Sequence, residues 1–238
     1  MIKFFRRIRY DLMEKHKTSK YLKYAIGEIV LVVIGILIAL SINNWNQERV
    51  SKNKAYSYLN QINNDLSLDL RFYDSMIYDW SEFILVFDKV IKSDLKNDTL
   101  ITKLGSILTI NSDPREFGNS YNNLINSGDI DLIEDKALLT KFHEYYRISC
   151  QLYNNVSEYQ RTFNIHNIEG PLVQTLVMEE GGSYSLESLK KGIASGNLIS
   201  MINWQNSSYK TLLKFLKRNQ KEAQELQRII KDLEETKG

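Results

Sequence analysis

The sequence contains little of what enzymes and disulfide-rich proteins are built from. Its 238 residues include one cysteine, Cys150, two prolines and three histidines. A single cysteine cannot form an internal disulfide. The sequence also lacks the HExxH, CxxC, GxSxG, phosphate-loop and GxGxxG motifs of common metal, redox, hydrolase and nucleotide sites. We therefore expect no enzymatic activity, no catalytic residues, no metal and no cofactor, and we expect Cys150 to be a small buried apolar residue.

The low proline content favours an all-α fold. Pro114 and Pro171 are the two prolines, and the glycines are concentrated outside three long runs in which apolar residues recur at three- and four-residue spacing. Such spacing places the apolar residues on one face of a helix. We therefore predict an elongated bundle of three long amphipathic helices and several short ones. The runs extend from Leu59 to Val90, from Leu138 to His166 and from Leu198 to Leu233.

Capping and helix-breaking residues predict the helix boundaries. Asp135 is the predicted N-cap of the second long helix, which the Gly170-Pro171 pair is predicted to end. A short helix is predicted over Leu100–Ile110, with Asp98 or Thr99 as its cap. Shorter helical pieces are predicted over Tyr121–Ile125, Leu172–Met178 and Leu186–Ile193.

Charge is distributed unevenly along the chain. Residues 1–24 contain eight basic and two acidic side chains, whereas the remaining residues contain 23 basic and 27 acidic ones. The excess of basic groups therefore belongs to the tail, and a nucleic-acid partner loses its support. The segment MIKFFRRIRYDLMEKHK either forms a helix in the headgroup layer of an anionic membrane or is a solvated tail that only sets orientation.

The longest hydrophobic run, Tyr24–Ile42 (YAIGEIVLVVIGILIALSI), predicts a single membrane span. Residues 29–46 carry no charge. A helix of this length extends about 28 Å, close to the ~30 Å hydrocarbon core of a bilayer. Aromatic side chains favour the two membrane interfaces. We therefore expect Tyr21 and Tyr24 at the inner interface and Trp45 at the outer one.

The basic residues around the span predict its orientation. Eight lie before it, whereas Arg49, Lys52 and Lys54 follow it closely, so the amino terminus is predicted to be cytoplasmic. A cleaved signal peptide is the alternative, but the long basic region and the length of the span favour an uncleaved anchor in a bacterial inner membrane. The predicted organisation is a cytoplasmic tail over 1–23, a transmembrane helix over 24–42 and a periplasmic helical domain over 43–238.

Residues 19–49, SKYLKYAIGEIVLVVIGILIALSINNWNQER, carry a recognisable pattern. They resemble the opening of a family of single-pass membrane proteins of unknown function that is common in Bacteroidota and shares the signature YxxGEIxLVVIGILIALxINxWN. Leu124–Tyr146 (LINSGDIDLIEDKALLTKFHEYY) and the closing helix are also similar to that family, so the resemblance covers most of the chain. It implies an inner-membrane anchor, an extracytoplasmic helical domain and a bacterial source, and it implies no activity.

One face of the predicted span combines a carboxylate with small residues. Glu28, Gly35 and Ala39 fall on this face, and small residues permit close contact between membrane helices. We expect this stripe to contact the span of a second copy or of a partner protein, because a carboxylate inside a membrane is costly unless it has a partner. In the alternative, Glu28 extends towards the inner headgroup layer.

Three further groups of residues are candidate ligand sites, and each has a structural alternative. His143 and His166 lie too far apart along one predicted helix to share a metal. The acidic cluster lacks the glycine and distant glutamate of a calcium loop, and capping explains it as well. The aromatic residues either line a pocket between helices or simply form the core. The cluster comprises Asp129, Asp131, Glu134 and Asp135, and the aromatic set comprises Tyr73, Trp80, Phe83, Tyr145, Tyr146, Tyr153 and Tyr159.

These observations lead to two expected functions. The first is a membrane-anchored periplasmic interaction or scaffold protein, with the lipid bilayer and another protein, or a second copy, as partners. The alternative is a ligand-sensing periplasmic bundle that signals through its span to a separate cytoplasmic partner. An exposed apolar patch would favour the scaffold, whereas a pocket with convergent polar groups would favour the sensor.

Overall fold

The computed structural model describes Tyr10, residues 18–93 and residues 96–235. Most of the basic tail, at 1–9 and 11–17, lies outside the described residues, so both alternatives for it stay predictions. The described residues form helices and no strand, apart from an isolated bridge between Met178 and Tyr184. The α-helices are α1 Thr18–Lys92, α2 Asp98–Ile107, α3 Asn119–Asn126, α4 Lys136–His143, α5 Cys150–Asn164, α6 Gly170–Thr175, α7 Leu186–Ala194 and α8 Ile199–Glu235.

Chain contacts divide the protein into two units, residues 1–56 and residues 57–238. In the first unit, the side chains of residues 29–42 on α1 are all exposed. Among the described residues, α1 is the one helix long and apolar enough to cross a membrane. An apolar run of this length with exposed aliphatic side chains is suited to the hydrocarbon core of a membrane rather than to water. The helix does not end with the apolar run, since no glycine or proline follows Gly35 before its last residue.

The second unit has a core made by the three predicted runs. Each run contributes the face on which its apolar residues recur, which confirms the helical period as the organising pattern. The segment of α1 in this unit buries its face almost completely, and so does α8. The buried positions include Ile62, Leu66, Tyr73 and Phe87 of α1, Leu138, Phe142 and Tyr153 of the middle run, and Ile202, Tyr209, Leu212, Leu216 and Ile230 of α8.

Several predicted helix boundaries differ from the structure, by three residues at the ends of α2 and α6. The N-cap of α2 is Asn97, whose side chain accepts from the backbone N–H of Leu100, so the prediction of Asp98 or Thr99 was wrong. The second long run also does not end at the Gly170-Pro171 pair, because helical backbone continues to Thr175. A π-helical segment, Ile165–Glu169, precedes the proline. Its wider turn accommodates a residue that has no N–H and that crowds a regular α-turn. Asp135 caps α4 as predicted, through the backbone N–H groups of Ala137 and Leu138.

An irregular segment over residues 108–115 crosses the second unit between α2 and α3. Buried backbone polar groups need hydrogen-bond partners, and here side chains of α5 and α8 supply them in place of a neighbouring strand. The segment is therefore fixed although it has no regular structure. The hydrogen bonds run from Gln205 Nε2 to Leu108 O (2.8 Å), from Tyr209 Oη to Ile110 O (2.7 Å), from Ser112 N to Gln160 Oε1 (3.0 Å) and from Arg115 N to Asn154 Oδ1 (3.0 Å).

Candidate functional site

The centre of the candidate site is a second π-helical segment, Glu144–Ser149, which joins α4 to α5. In an α-helix neighbouring residues point about 100° apart, so two adjacent large side chains rarely both face a core. Here Tyr145 and Tyr146 are both buried, together with Ser149 and Cys150 at the end of the segment. Single-turn π segments are frequent at functional sites, and this one directs two tyrosines towards α1.

Asp69 of α1 lies opposite these tyrosines and is only 2% exposed. Its Oδ2 atom accepts a hydrogen bond from the Tyr145 hydroxyl at 3.0 Å, and its Oδ1 atom lies 3.4 Å from a terminal nitrogen of Arg115. The Tyr145 hydroxyl is also 3.0 Å from that of Tyr73, which is 3.7 Å from the Cys150 sulfur. The four groups form one buried hydrogen-bonded chain that ends at a carboxylate.

Burial sets the protonation of this chain. It raises the pKa of Asp69 from its ordinary value of 3.8 to about 6, although the Tyr145 hydroxyl and the Arg115 charge act in the opposite direction. Burial likewise raises the pKa of Cys150 to about 12, and it raises the pKa of Tyr73 and of Tyr145 above the usual tyrosine range. At neutral pH the phenols and the thiol are therefore donors, and Asp69 is the acceptor.

Tyr146 occupies the same core from the next position. Its ring stacks on that of Tyr121, with 5.2 Å between the centroids, and lies directly against Gly118. Gly118 has a left-handed backbone with φ of 69°, and it precedes α3. Burial raises the pKa of Tyr146 well above its ordinary value. Among the described residues its buried hydroxyl has no hydrogen-bond partner, which is uncommon for a buried polar atom.

Arg115 connects this core to the surface. The Asn154 amide binds its backbone from both sides, accepting from the Arg115 N–H and donating to its carbonyl oxygen. The guanidinium carbon lies 4.7 Å from the centre of the Phe72 ring and 5.5 Å from that of Phe117. Such cation–π contacts orient a guanidinium without using its N–H donors. The side chain remains 32% exposed.

A groove with a volume of about 350 Å³ opens beside Arg115. This size is within the range of small-molecule sites. Tyr146 and Cys150 form part of its lining, so the groove borders the Asp69 core. Most of the other lining groups are polar and able to donate hydrogen bonds. They are Arg115, Arg147, Asn119, Asn122, Gln151 and Asn154, and Glu116 and Phe117 complete the lining.

The acidic cluster predicted as one candidate site has structural contacts instead. Asp129 accepts a hydrogen bond from the Tyr58 hydroxyl at 2.7 Å, Asp131 lies 3.4 Å from the Lys136 ammonium, and Asp135 caps α4. In the described part of the chain, no three histidine, cysteine or acidic side chains are grouped as metal ligands. These carboxylates stabilise the α3–α4 connection, as the capping interpretation holds.

The two histidines lie at the surface, whereas most of the aromatic candidates lie in the core. His143 and His166 are both exposed, and His166 Nδ1 contacts the carbonyl oxygen of Thr162 at 2.7 Å. Six of the seven aromatic candidates belong to the core or pack against it, as the core interpretation predicted. Tyr159 does not, because it is largely exposed. Of the seven, Tyr146 lines the groove.

The predicted membrane residues all lie on α1, in the first unit. Glu28 is half-buried and Ala39 exposed, and a Cβ atom added at Gly35 would meet nothing within 4 Å. The chain itself therefore leaves the small-residue face open, and its contact with another span stays a prediction. Trp45 is exposed, with the Arg49 guanidinium 5.4 Å from its ring centre. The side chains of Tyr21 and Tyr24 lie outside the described residues.

Asp69 and Arg115 were missed in the sequence for different reasons. Asp69 could have been recognised from the sequence, because it is the one charged residue among the ten stripe positions of the Leu59–Val90 run. A carboxylate buried at such a position needs partners. Arg115 gives no comparable signal, because its contacts depend on the course of an irregular segment. The grouping of Tyr145 with Tyr146 was equally hidden, since it depends on a π segment that breaks the helical period.

Comparisons with known proteins give a family and no activity. A family model described as a family of unknown function (DUF6090) matches residues 28–207, which is more than half of the chain. No curated protein and no solved structure matches the chain.

The packing of Tyr146 on Gly118 predicts a sensitive position. In Gly118→Ala the new Cβ would lie 2.5 Å from Tyr146 Cδ1, in addition to the cost of a left-handed alanine. We expect a loss of about 2–4 kcal/mol in the free energy of unfolding. Gly128→Ala is the matched control, because Gly128 has a φ of 74° but open space around it, and about 1 kcal/mol is expected. Denaturant unfolding of the full chain in detergent measures both, and equal losses would contradict the packing.

The raised pKa of Asp69 predicts a pH-dependent stability. Between about pH 4 and pH 6 the folded protein holds the Asp69 proton more tightly than the unfolded chain does. The wild type should therefore lose about 3 kcal/mol relative to Asp69→Asn as the pH rises through this window, with no further change above it. Asp74→Asn, at an exposed position of the same helix, is the control. Parallel stability curves for wild type and Asp69→Asn would refute the prediction.

Proposed function

Since the chain belongs to the DUF6090 family of unknown function, we propose its role from its own residues: it is a membrane-anchored helical interaction or scaffold protein without catalytic activity. The carrying observation is α1. Its amino-terminal half presents an uncovered aliphatic surface over residues 29–42, whereas its carboxy-terminal half packs into a folded core. A helix of this kind serves both as a membrane anchor and as part of the domain that it anchors.

The proposed location follows from charge. The excess of basic residues before the span favours a cytoplasmic amino terminus and a helical domain in the periplasm of a bacterial cell. The resemblance carried by residues 19–49 implies an origin in Bacteroidota. The Arg49 guanidinium lies over the Trp45 ring just beyond the apolar segment, which supports a membrane interface at this end of the span in either orientation. In this topology the bilayer is the first partner.

An exposed apolar patch supports a protein partner for the domain. Val173 and Val177 are 67% and 64% exposed, and Met178 follows them with a comparable exposure. These residues surround the end of α6 and the bridge to Tyr184. The three side chains lie within one six-residue stretch, and clustered exposed aliphatic side chains mark interaction sites more often than isolated ones do. We assign this patch to contact with another envelope protein.

Affinity capture from native membranes tests the scaffold role. Tagged full-length protein, solubilised in detergent, should retain a specific envelope protein that mass spectrometry identifies. Val173→Asp with Val177→Asp should lower its recovery at least fivefold, because a buried charge at an interface is costly. Tyr78→Ser, at an exposed site on α1, should leave recovery unchanged. Recovery of no envelope protein above background would overturn the proposal.

A ligand sensor is the second candidate function, and the groove beside Arg115 is the observation that favours it. The groove contains convergent polar groups and borders a buried titratable carboxylate. In this role the helical domain binds a small molecule and acts through α1 on a separate cytoplasmic partner. A helix that continues from the core into the span is a suitable element for such coupling.

The stripe of Glu28, Gly35 and Ala39 is proposed to contact another span. Single cysteines at positions 35 and 33, in a chain carrying Cys150→Ala, compare this face with the opposite one. If the stripe is a contact surface, disulfide crosslinking in native membranes should give several-fold more dimer, or partner adduct, at position 35, where small residues allow close approach. Equal yields at the two positions would rule the contact out.

A further inference from the structure

We propose that the groove beside Arg115 binds a small organic anion, whose carboxylate pairs with the Arg115 guanidinium. This inference gives the sensor role its ligand class and is independent of whether a scaffold partner exists. The groove lies wholly within the second unit. Three features of the molecule support this ligand class: the geometry of Arg115, the charge of the lining and the enclosed hydroxyl of Tyr146.

The guanidinium of Arg115 is oriented by its contacts before any anion binds. The Asn154 amide fixes its backbone, and the rings of Phe72 and Phe117 hold its guanidinium within cation–π distance. Neither set of contacts uses the five N–H donors of the guanidinium. Among the described residues, the carboxylate in contact is that of Asp69 at 3.4 Å, which is long for a charge-assisted hydrogen bond. A preorganised guanidinium with spare donors is a typical carboxylate clamp.

The rest of the lining favours the same ligand class. Arg147 adds a second positive charge from the π segment, and Glu116 is the one acidic residue in the lining. The side-chain amides of Asn119, Asn122 and Gln151 can donate to further oxygen atoms or accept from hydroxyl and amino groups. This composition suits a polar metabolite that carries a carboxylate better than it suits an apolar molecule.

The base of the groove adds an independent observation. Tyr146 is more than nine-tenths buried, lines the groove, and has a hydroxyl without a hydrogen-bond partner among the described residues. Leaving a buried donor of this kind without a hydrogen bond costs free energy. The hydroxyl is enclosed in the free protein, so a ligand oxygen reaches it only if neighbouring side chains move.

Asp69 competes with such a ligand for Arg115. Its carboxylate is the present partner of the guanidinium, and it is also held by Tyr145. A carboxylate bound to Arg115 shares the guanidinium charge with Asp69, so the two anions compete for the same cation. This places the ligand in direct competition with a residue of the helix that continues into the span, and it makes Asp69→Asn an informative variant.

Binding can be measured on the full chain in detergent by thermal shift and calorimetric titration. The probes are acetate, succinate, citrate and glutamate, against sodium chloride at equal ionic strength, with neutral succinamide as a further reference. At least one carboxylate should bind with a Kd of about 1 mM or tighter. Arg115→Gln and the exposed Arg147→Gln should weaken it at least fivefold, whereas Asp69→Asn should tighten it at least threefold.

Arg161→Gln is the matched control, because Arg161 lies on α5 outside the groove lining and is 45% exposed. It should bind the probe as the wild type does. The proposal is overturned if no carboxylate exceeds chloride and succinamide, or if Arg147→Gln and Arg161→Gln respond alike. Capture of an envelope protein does not enter these measurements, so their failure would leave the scaffold role standing.

Discussion

The burial of one carboxylate constrains much of the second unit. Asp69 sits at a core position of α1, and an ionised carboxylate loses several kcal/mol of hydration when it is buried. That loss has to be offset by donors, and they come from separate elements: a phenol from the π segment and a guanidinium from the irregular segment. The π segment and the irregular segment thus each contribute a donor to the same buried carboxylate.

Side-chain amides extend this logic away from Asp69. The irregular segment between α2 and α3 has no strand or helix partner, so its backbone depends on Asn154, Gln160 and Gln205. Gln160 and Gln205 occupy buried positions where an aliphatic residue would pack well but would leave buried N–H and C=O groups without partners. Asn154 binds the Arg115 backbone from a half-buried position in the groove lining. The interior of the domain is therefore partly polar by necessity, and that polarity positions Arg115 at the rim of the groove.

Regular features of this protein could be read from its sequence, and irregular ones could not. The three- and four-residue spacing of apolar residues predicted the buried faces of α1 and α8, and Asp135 correctly predicted the start of α4. The continuation of helix past Pro171 was missed because proline normally ends an α-turn, and a π segment changes that rule locally. The groove was missed for a related reason. Its residues come from a loop, a π segment and two helices, and no single stretch of sequence contains its pattern.

The π segment at Glu144–Ser149 also fixes the rotational phase of everything that follows it in the helix. A π turn holds one residue more than an α-turn, so it is equivalent to a one-residue insertion. If the same residues were wound as regular α-helix, with none removed, α5 would be rotated by about 100° about its axis. The amides that hold the irregular segment would then face elsewhere, together with the residues that line the groove. An insertion of one residue, rather than any particular side chain, is what aligns the polar interior of this domain with its surface.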